Sequence, residues 1–190
     1  MPKRKKLYFL IIFTVFCALF AYLSYNGAYS NKGILEKVTD REGYTLHLIK
    51  NNETVEFYVK PEWIPFNSKK EKEFDIEITT KENTNIILDS VWNRENDIYF
   101  TFDTTYNLDY NKGRFMYNGI FNEDGTYTTN SSHQEYFLYN HNKEIIDVGQ
   151  YGQGPNSAFG FAINPENYDL IKDGFYVRYS GFYLYEYTKN

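Results

Sequence analysis

Beyond its apolar N-terminal segment, the chain is poor in the side chains that enzymes use as nucleophile and base. The single cysteine, Cys17, lies within that segment, and the three histidines, His47, His133 and His141, are spread along the rest. Nucleophilic catalysis needs a Ser or Cys beside a base that a third group orients. Ser157, in Gly-Pro-Asn-Ser-Ala, lacks the Gly-x-Ser-x-Gly elbow. We therefore predict no catalytic activity, and histidines that face the solvent.

Two segments carry some of the ligands of a metal site. His133, Glu135 and His141 are close in sequence, but nothing in the pattern fixes their geometry for zinc. The segment 107–113 alternates oxygen-bearing side chains as calcium loops do, yet Asn118 stands where a bidentate Glu is required. We expect a polar turn there, and we expect that the protein needs neither metal nor cofactor.

The strongest candidate for binding is the glycine-rich segment 148–160, VGQYGQGPNSAFG. Its Gly-Gln-Gly lacks the third glycine and the following helix of a dinucleotide fingerprint, so phosphate binding is not expected. Loops on a rigid scaffold often carry binding residues, and Tyr and Asn among glycines make adaptable contacts. We predict Tyr151, Gln153 and Asn156 as ligand-binding residues. The alternative is a structural connection whose glycines only satisfy backbone geometry.

A second candidate surface is the tyrosine-rich segment 175–187. Alternation along a strand places Phe182 and Leu184 on one side and Tyr183, Tyr185 and Tyr187 on the other. An exposed row of tyrosines would stack on the sugar rings of a cell-wall glycan. Alternatively, the rings pack against cross-strand neighbours and keep their hydroxyls in water.

Alternation with period two begins at residue 33 and indicates an all-β fold. Residues 33–93 contain five predicted strands: Gly33–Val38, Tyr44–Lys50, Glu53–Lys60, Glu73–Thr80 and Asn85–Trp92. The Asn51-Asn52 pair suits a tight hairpin. Between the third and fourth strands, Trp63, Ile64 and Phe66 form an apolar plug. Five strands with such a plug predict a small OB-like β-barrel over 33–93.

Residues 97–190 contain eight further predicted strands: Ile98–Thr104, Arg114–Phe121, Thr126–Asn130, Tyr136–Asn140, Glu144–Val148, Ala158–Ile163, Gly174–Tyr179 and Phe182–Thr188. Asp124-Gly125 and Ser180-Gly181 have the composition of hairpin turns. Short strands with frequent turns predict a β-sandwich, in which an immunoglobulin-like arrangement is one form. A single continuous all-β domain is the alternative to two units.

The N-terminus predicts a membrane anchor. A basic tail at 1–6, with Lys3, Arg4, Lys5 and Lys6, precedes an uncharged stretch at 7–25 that reaches about 28 Å as a helix, close to a bilayer's hydrocarbon thickness. A polar spacer at 26–32 follows. The positive-inside rule predicts that the basic tail is cytoplasmic. It predicts that the chain after the spacer, here called the body, is extracytoplasmic. A signal peptide cleaved before Asn31 is the alternative, and would yield a secreted protein.

The net charge and the amino-acid composition restrict the classes of partner that the protein can bind. Without the four basic residues of the tail, 16 Lys and Arg face 25 Asp and Glu, a formal net charge of −9. Such a body does not bind nucleic acid through its phosphates. The abundance of Asn, Lys, Tyr, Phe and Ile is compatible with a bacterial protein from an AT-rich genome. We predict an extracytoplasmic binding or interaction module whose partner is an envelope protein or, second, a cell-wall glycan. An exported hydrolase and a structural envelope component are the alternatives.

Overall fold

The computed structural model describes residues 3–129 and 132–190, beginning with two helices. Helix α1 (Lys3–Tyr29) contains an apolar stretch, Leu10–Tyr29, that is long enough to cross a membrane. This apolar stretch covers most of the predicted anchor at 7–25 and the first part of the predicted spacer at 26–32.

Helix α2 (Asn31–Thr39) begins directly after Ser30, whose side chain caps it by accepting a hydrogen bond from the Gly33 N–H at 3.1 Å. The predicted strand Gly33–Val38 is therefore wrong. Ile34 and Val38, four residues apart on one helix face, are both buried, which is why the same apolar residues suit a helix.

The described residues then form twelve strands, with a short helix α3 (Tyr168–Ile171) before the last one. The strands are β1 (Tyr44–Val59), β2 (Lys72–Lys81), β3 (Thr84–Asn93), β4 (Ile98–Tyr106), β5 (Lys112–Tyr117), β6 (Gly119–Phe121), β7 (Tyr127–Thr129), β8 (Tyr136–Tyr139), β9 (Ile145–Ile146), β10 (Tyr151–Gln153), β11 (Phe159–Ile163) and β12 (Phe175–Lys189). The end of the predicted strand Thr126–Asn130 lies outside the described residues.

Two five-stranded sheets and a small hairpin organise these strands. Sheet I has the order β1-β12-β8-β9, and β5 pairs with β12 beyond the end of β8. Sheet II has the order β10-β11-β4-β3-β2, and β6 pairs with β7. Both sheets are open. The predicted OB-like barrel over 33–93 is not confirmed, because β1 lies in sheet I whereas β2 and β3 lie in sheet II. The mostly β character of the chain is confirmed, whereas an immunoglobulin-like arrangement is not.

Strands β1 and β12 are longer than the sequence predicts and pair along their whole length, from Tyr44 with Lys189 to Val59 with Phe175. The hairpins predicted at Asn51-Asn52 and Ser180-Gly181 are both wrong. Each pair lies instead where the ladder changes register, and Asn52 has a φ of 57°. A residue that tolerates positive φ serves a β-bulge as well as a turn.

Two aromatic-rich cores hold the body together. The first fills the space between the sheets and includes Phe57, Phe102 and Phe161, together with Trp63 and Ile64 of the predicted apolar plug. The second lies under helix α2, on the other face of sheet I. Its buried members are Ile34, Val38, Tyr44, Leu46, Tyr106, Leu108, Phe115, Tyr185 and Tyr187. Helix α2 thus covers a sheet face that would otherwise be exposed.

Candidate functional site

The predicted binding loop lies at one edge of sheet II. Strand β10 pairs with β11 on one side, and Gln150 and Gly149 fix its start through backbone hydrogen bonds with Ala162 of 2.7 and 2.9 Å. The Gln150 side chain also accepts a hydrogen bond from Arg94 at 3.1 Å. The loop is therefore tied to the scaffold at its start.

Tyr151 is the most exposed aromatic residue of this loop. Its side chain is 39% exposed, and its ring lies 5.8 Å from the ring of Tyr136 in β8. Sheet I and sheet II therefore contact each other through these two rings. A ring that is supported on one side and solvated on the other is suited to pack against a partner.

Gln153 points toward the protein interior. Its Nε2 donates to the Tyr179 hydroxyl at 3.1 Å, while its Oε1 is buried without a hydrogen-bond partner. The Oε2 of Glu135 is buried and unpartnered in the same way, and burial raises the pKa of that carboxyl above its usual value. The predicted ligand role of Gln153 would therefore require the side chain to leave the tyrosine.

Asn156 belongs to a turn in which two successive residues adopt left-handed backbone conformations, with φ of 55° for Asn156 and 67° for Ser157. Such conformations are costly outside glycine and need support. The Asn156 carbonyl accepts from Thr104 Oγ1 at 2.7 Å, and Ser157 Oγ accepts from the Asn118 N–H at 2.9 Å. Ser157 is buried and holds the turn. The Asn156 side chain is exposed.

A depression of about 400 Å³ lies beside Asn156, between helix α2 and strand β4. Asn31, Leu35 and Tyr106 contribute to its lining. A second depression of about 570 Å³ adjoins it and shares Asn31 and Tyr106. Tyr151, Gln153 and Asn156 therefore do not converge on one pocket, since among them only Asn156 lines either depression.

The lining of the larger depression is dominated by amides and hydroxyls, and sequence analysis did not predict it as a site. Asn31 comes from the start of α2, Asn83 and Asn85 from the β2–β3 turn and β3, and Thr105 and Asn107 from the end of β4. The sequence signal was weak, because these residues are spread over almost 80 positions and asparagine is common throughout the chain. The pairing of β3 with β4 sets Asn85 opposite Thr105, and the hydrogen bond of Asn31 with the Leu108 N–H brings the start of α2 to them.

The tyrosine-rich end does not form an exposed row. Tyr185 and Tyr187 are buried in the core under helix α2, and their hydroxyls donate to the carbonyls of Gly119 at 2.9 Å and Asp109 at 2.6 Å. Burial raises the pKa of Tyr187 to about 12. The predicted stacking surface for glycans on this segment is therefore absent, and the packing alternative holds, with hydroxyls bonded to backbone.

An aromatic row that the sequence did not reveal crosses the outer face of sheet I. Tyr58, Tyr176 and Tyr139 are register neighbours on β1, β12 and β8. The rings of Tyr139 and Tyr176 lie 5.1 Å apart at 13°, so their faces cover each other. Two hydroxyls of the row are engaged, because Tyr139 donates to the Glu56 carboxylate at 2.8 Å and Tyr58 donates to the Asp173 carbonyl at 2.7 Å. The row stabilises the sheet rather than offering ring faces to a ligand.

Neither His47 nor His141 lines the two depressions. His47 is exposed, and His141, also exposed, lies 3.0 Å from the Tyr58 hydroxyl. The His133 side chain lies outside the described part of the structure. In that described part, no group of three His, Cys, Asp or Glu side chains is placed to hold a metal ion. The predicted polar turn near Asp109 is confirmed, since this carboxylate accepts from the Asn111 N–H at 2.7 Å.

Comparison with known proteins identifies no relative. No protein-family model, no curated protein and no solved structure matches the chain.

Proposed function

We propose that this protein is a membrane-anchored binding module, without catalytic activity, on the extracytoplasmic side of a bacterial cell membrane. Helix α1 is its anchor, and the basic tail remains in the cytoplasm. The edge of sheet II that carries Tyr151 contacts another protein of the envelope. An exported hydrolase and a structural envelope component are the rival functions.

The connection between anchor and body supports a retained membrane helix. The Tyr29 ring, at the end of α1, lies 4.5 Å from the Tyr110 ring of the body. Ser30 caps α2, and a Cβ on Gly33 would lie 1.9 Å from the Gly27 carbonyl oxygen, so the two helices are in close backbone contact. Cleavage before Asn31 would remove the Tyr29 ring, the Ser30 cap of α2 and the backbone contact of Gly27 with Gly33.

The observation that carries the binding role is the exposure of Tyr151 on a short edge strand. Edge strands offer backbone groups to an incoming segment, and a supported tyrosine supplies a large contact area for little side-chain entropy. His47 lies on β1 and the Tyr58-bound His141 lies in the turn after β8, so neither belongs to the loop that carries Tyr151.

A photoreactive amino acid placed at Tyr151 tests this role in living cells of the source organism. We expect a light-dependent adduct of defined mass in the membrane fraction, because a ring in contact with a partner lies within reach of its side chains. The same amino acid at Asn67, which is exposed on the loop before β2, is the matched control and should give no adduct.

The rival hydrolase is tested with the same adduct. Replacing His47, His133 and His141 together with Ala should leave adduct formation at position 151 unchanged. Absence of an adduct at Tyr151 in a folded protein would contradict the binding role, and a folded histidine variant that keeps the adduct but fails in the cell would favour the hydrolase.

A further inference from the structure

The larger depression beside α2 has the surface chemistry of a ligand site. It has a volume of about 570 Å³ and is lined by Asn31, Glu77, Thr80, Asn83, Asn85, Thr105, Tyr106 and Asn107. Four of these residues carry a carboxamide and two carry an aliphatic hydroxyl. Concave sites with a few convergent polar groups are where small ligands bind.

Part of this polar lining is fixed by the protein itself. Asn31 Oδ1 accepts from the Leu108 N–H at 2.8 Å, and Asn83 Nδ2 donates to the Arg114 carbonyl at 3.1 Å. Each amide is therefore held by one of its two ends. A side chain that is oriented in advance loses less entropy when a ligand binds.

Asn31 and Asn83 line the depression, and the other end of each amide is not held by another described residue. Within the part of the chain that the structure describes, Asn31 Nδ2, Asn83 Oδ1 and the whole Asn107 carboxamide make no hydrogen bond to another residue. A carboxamide offers both N–H donors and a carbonyl acceptor. The depression thus presents donors and acceptors together, which matches a ligand whose groups both donate and accept.

The charge of the lining excludes most ionic ligands. Among the described residues around the larger depression, Glu77 is the one charged side chain, and no Lys or Arg is present. An anion would meet a carboxylate and no cation, and a small cation would find a single carboxylate. Sugar hydroxyls donate and accept without charge. The adjoining depression also carries Lys32, Glu36 and Asp103, and its half-buried Leu35 adds apolar surface of the kind that covers the C–H face of a sugar ring.

We infer that this depression binds a neutral sugar, an inference that rests on the proposed role as an extracytoplasmic binding module and names a ligand for it. Asn31 follows Tyr29, the last residue of the apolar span, by two positions. The site therefore lies near the membrane surface. The sugar comes either from a wall glycan or from the headgroup of a glycolipid in the same membrane.

Hydrogen–deuterium exchange of the full chain in phosphatidylcholine nanodiscs distinguishes the two sources. In one arm, cellotetraose and chitotetraose are added to the solution. In the other, the nanodiscs contain diglucosyl diacylglycerol. We expect slower exchange in the backbone of residues 83–85 and 105–108 in one arm, because a bound sugar covers the β3–β4 edge of the depression.

The variant Asn107→Ala should weaken binding of the active sugar by about three- to ten-fold, as expected when the hydrogen bonds of one carboxamide are lost. Asn67→Ala, on a distant exposed loop, should leave it unchanged. Equal binding by Asn107→Ala and the wild type, with an unchanged far-UV spectrum, would place the sugar elsewhere. Absence of protection in both arms would overturn the sugar site, while an adduct at Tyr151 would leave the binding role standing.

Discussion

Glu53 shows how a single charged side chain joins the two sheets. It is buried at the bulge of β1, with its carboxylate paired with Lys50 at 2.6 Å and with Lys81 of β2. Burial by itself raises the pKa of Glu53, but the hydrogen bonds from the two lysines outweigh it, and the pKa lies below the usual 4.5. Lys81 also donates to the Thr54 carbonyl at 2.7 Å, so it links sheet II to sheet I twice.

Replacing Glu53 with Gln should lower the free energy of unfolding by about 1–2 kcal/mol at neutral pH, less than for a fully buried pair because both lysines are partly exposed. Because folding lowers the pKa, the ion pairs contribute fully above the unfolded-state value and lose their effect as pH falls through the folded-state value. The difference between wild type and variant should therefore shrink in acid. Denaturant unfolding across this pH range measures it.

The matched control for Glu53 is Glu62→Gln, an exposed carboxylate beside the apolar plug. It should change stability by no more than about 0.5 kcal/mol. A Glu53→Gln variant as stable as wild type at neutral pH would show that the two lysines do not link the sheets through this carboxylate.

At the scale of elements, strands with strict alternation were predictable and the irregular ones were not. The predicted strands Glu73–Thr80, Asn85–Trp92 and Ile98–Thr104 correspond to β2, β3 and β4 within two residues at each end. Helix α2 was missed because Gly33 and Val38 are poor helix formers, and its stability comes from burial of Ile34 and Val38. Tertiary packing of this kind cannot be predicted from the sequence of a nine-residue segment.

Of the two candidate sites, one was predictable from the sequence and the other was not. Tyr151 was found because glycines and an aromatic residue stand together in sequence. The amide-lined depression was not, because its residues come from α2, from the β2–β3 hairpin and from the end of β4 and the residue after it, which meet only in the folded protein.

The packing of α2 gives a prediction for this element. Ile34→Ala should destabilise the body by about 2–4 kcal/mol, because the removed atoms leave a cavity in the core under the helix, where Ile34 is only 2% exposed. The control Glu36→Ala lies on the outer face of the same helix, 4.0 Å from Lys32, and should cost less than about 0.5 kcal/mol. Thermal unfolding of the full chain in nanodiscs compares the two. Equal stability of the two variants would mean that α2 does not seal this core.

At the scale of the whole molecule, the first and last strands of the body are neighbours. Strand β1 pairs with β12 over nearly its full length, and β3 pairs with β4 across the boundary predicted between 33–93 and 97–190. Sequence alone does not reveal a pairing between Tyr44 and Lys189, because period two defines a strand but not its partner. The two predicted segments thus share both sheets.

Helix α1 continues almost directly into α2, so almost no chain separates the apolar stretch from the β-rich body. The outer end of the apolar stretch carries Tyr22, Tyr25 and Tyr29, and rings of this kind favour the headgroup region. Lys189 lies 3.6 Å from the centre of the Tyr110 ring, which itself contacts Tyr29. The C-terminal end of β12 therefore lies at the same end of the body as helix α1.

The final prediction concerns attachment and side. The full chain should stay in the membrane pellet after alkaline carbonate extraction, because an uncharged helix of bilayer length is not released by pH. Protease added to spheroplasts should digest the body, since the basic tail favours a cytoplasmic N-terminus. A cytoplasmic marker protein that remains intact is the control for lysis. Intact mass measurement should find residues 1–30 still attached, because Ser30 caps α2. A chain that begins at Asn31, or a soluble full-length chain, would contradict the anchor.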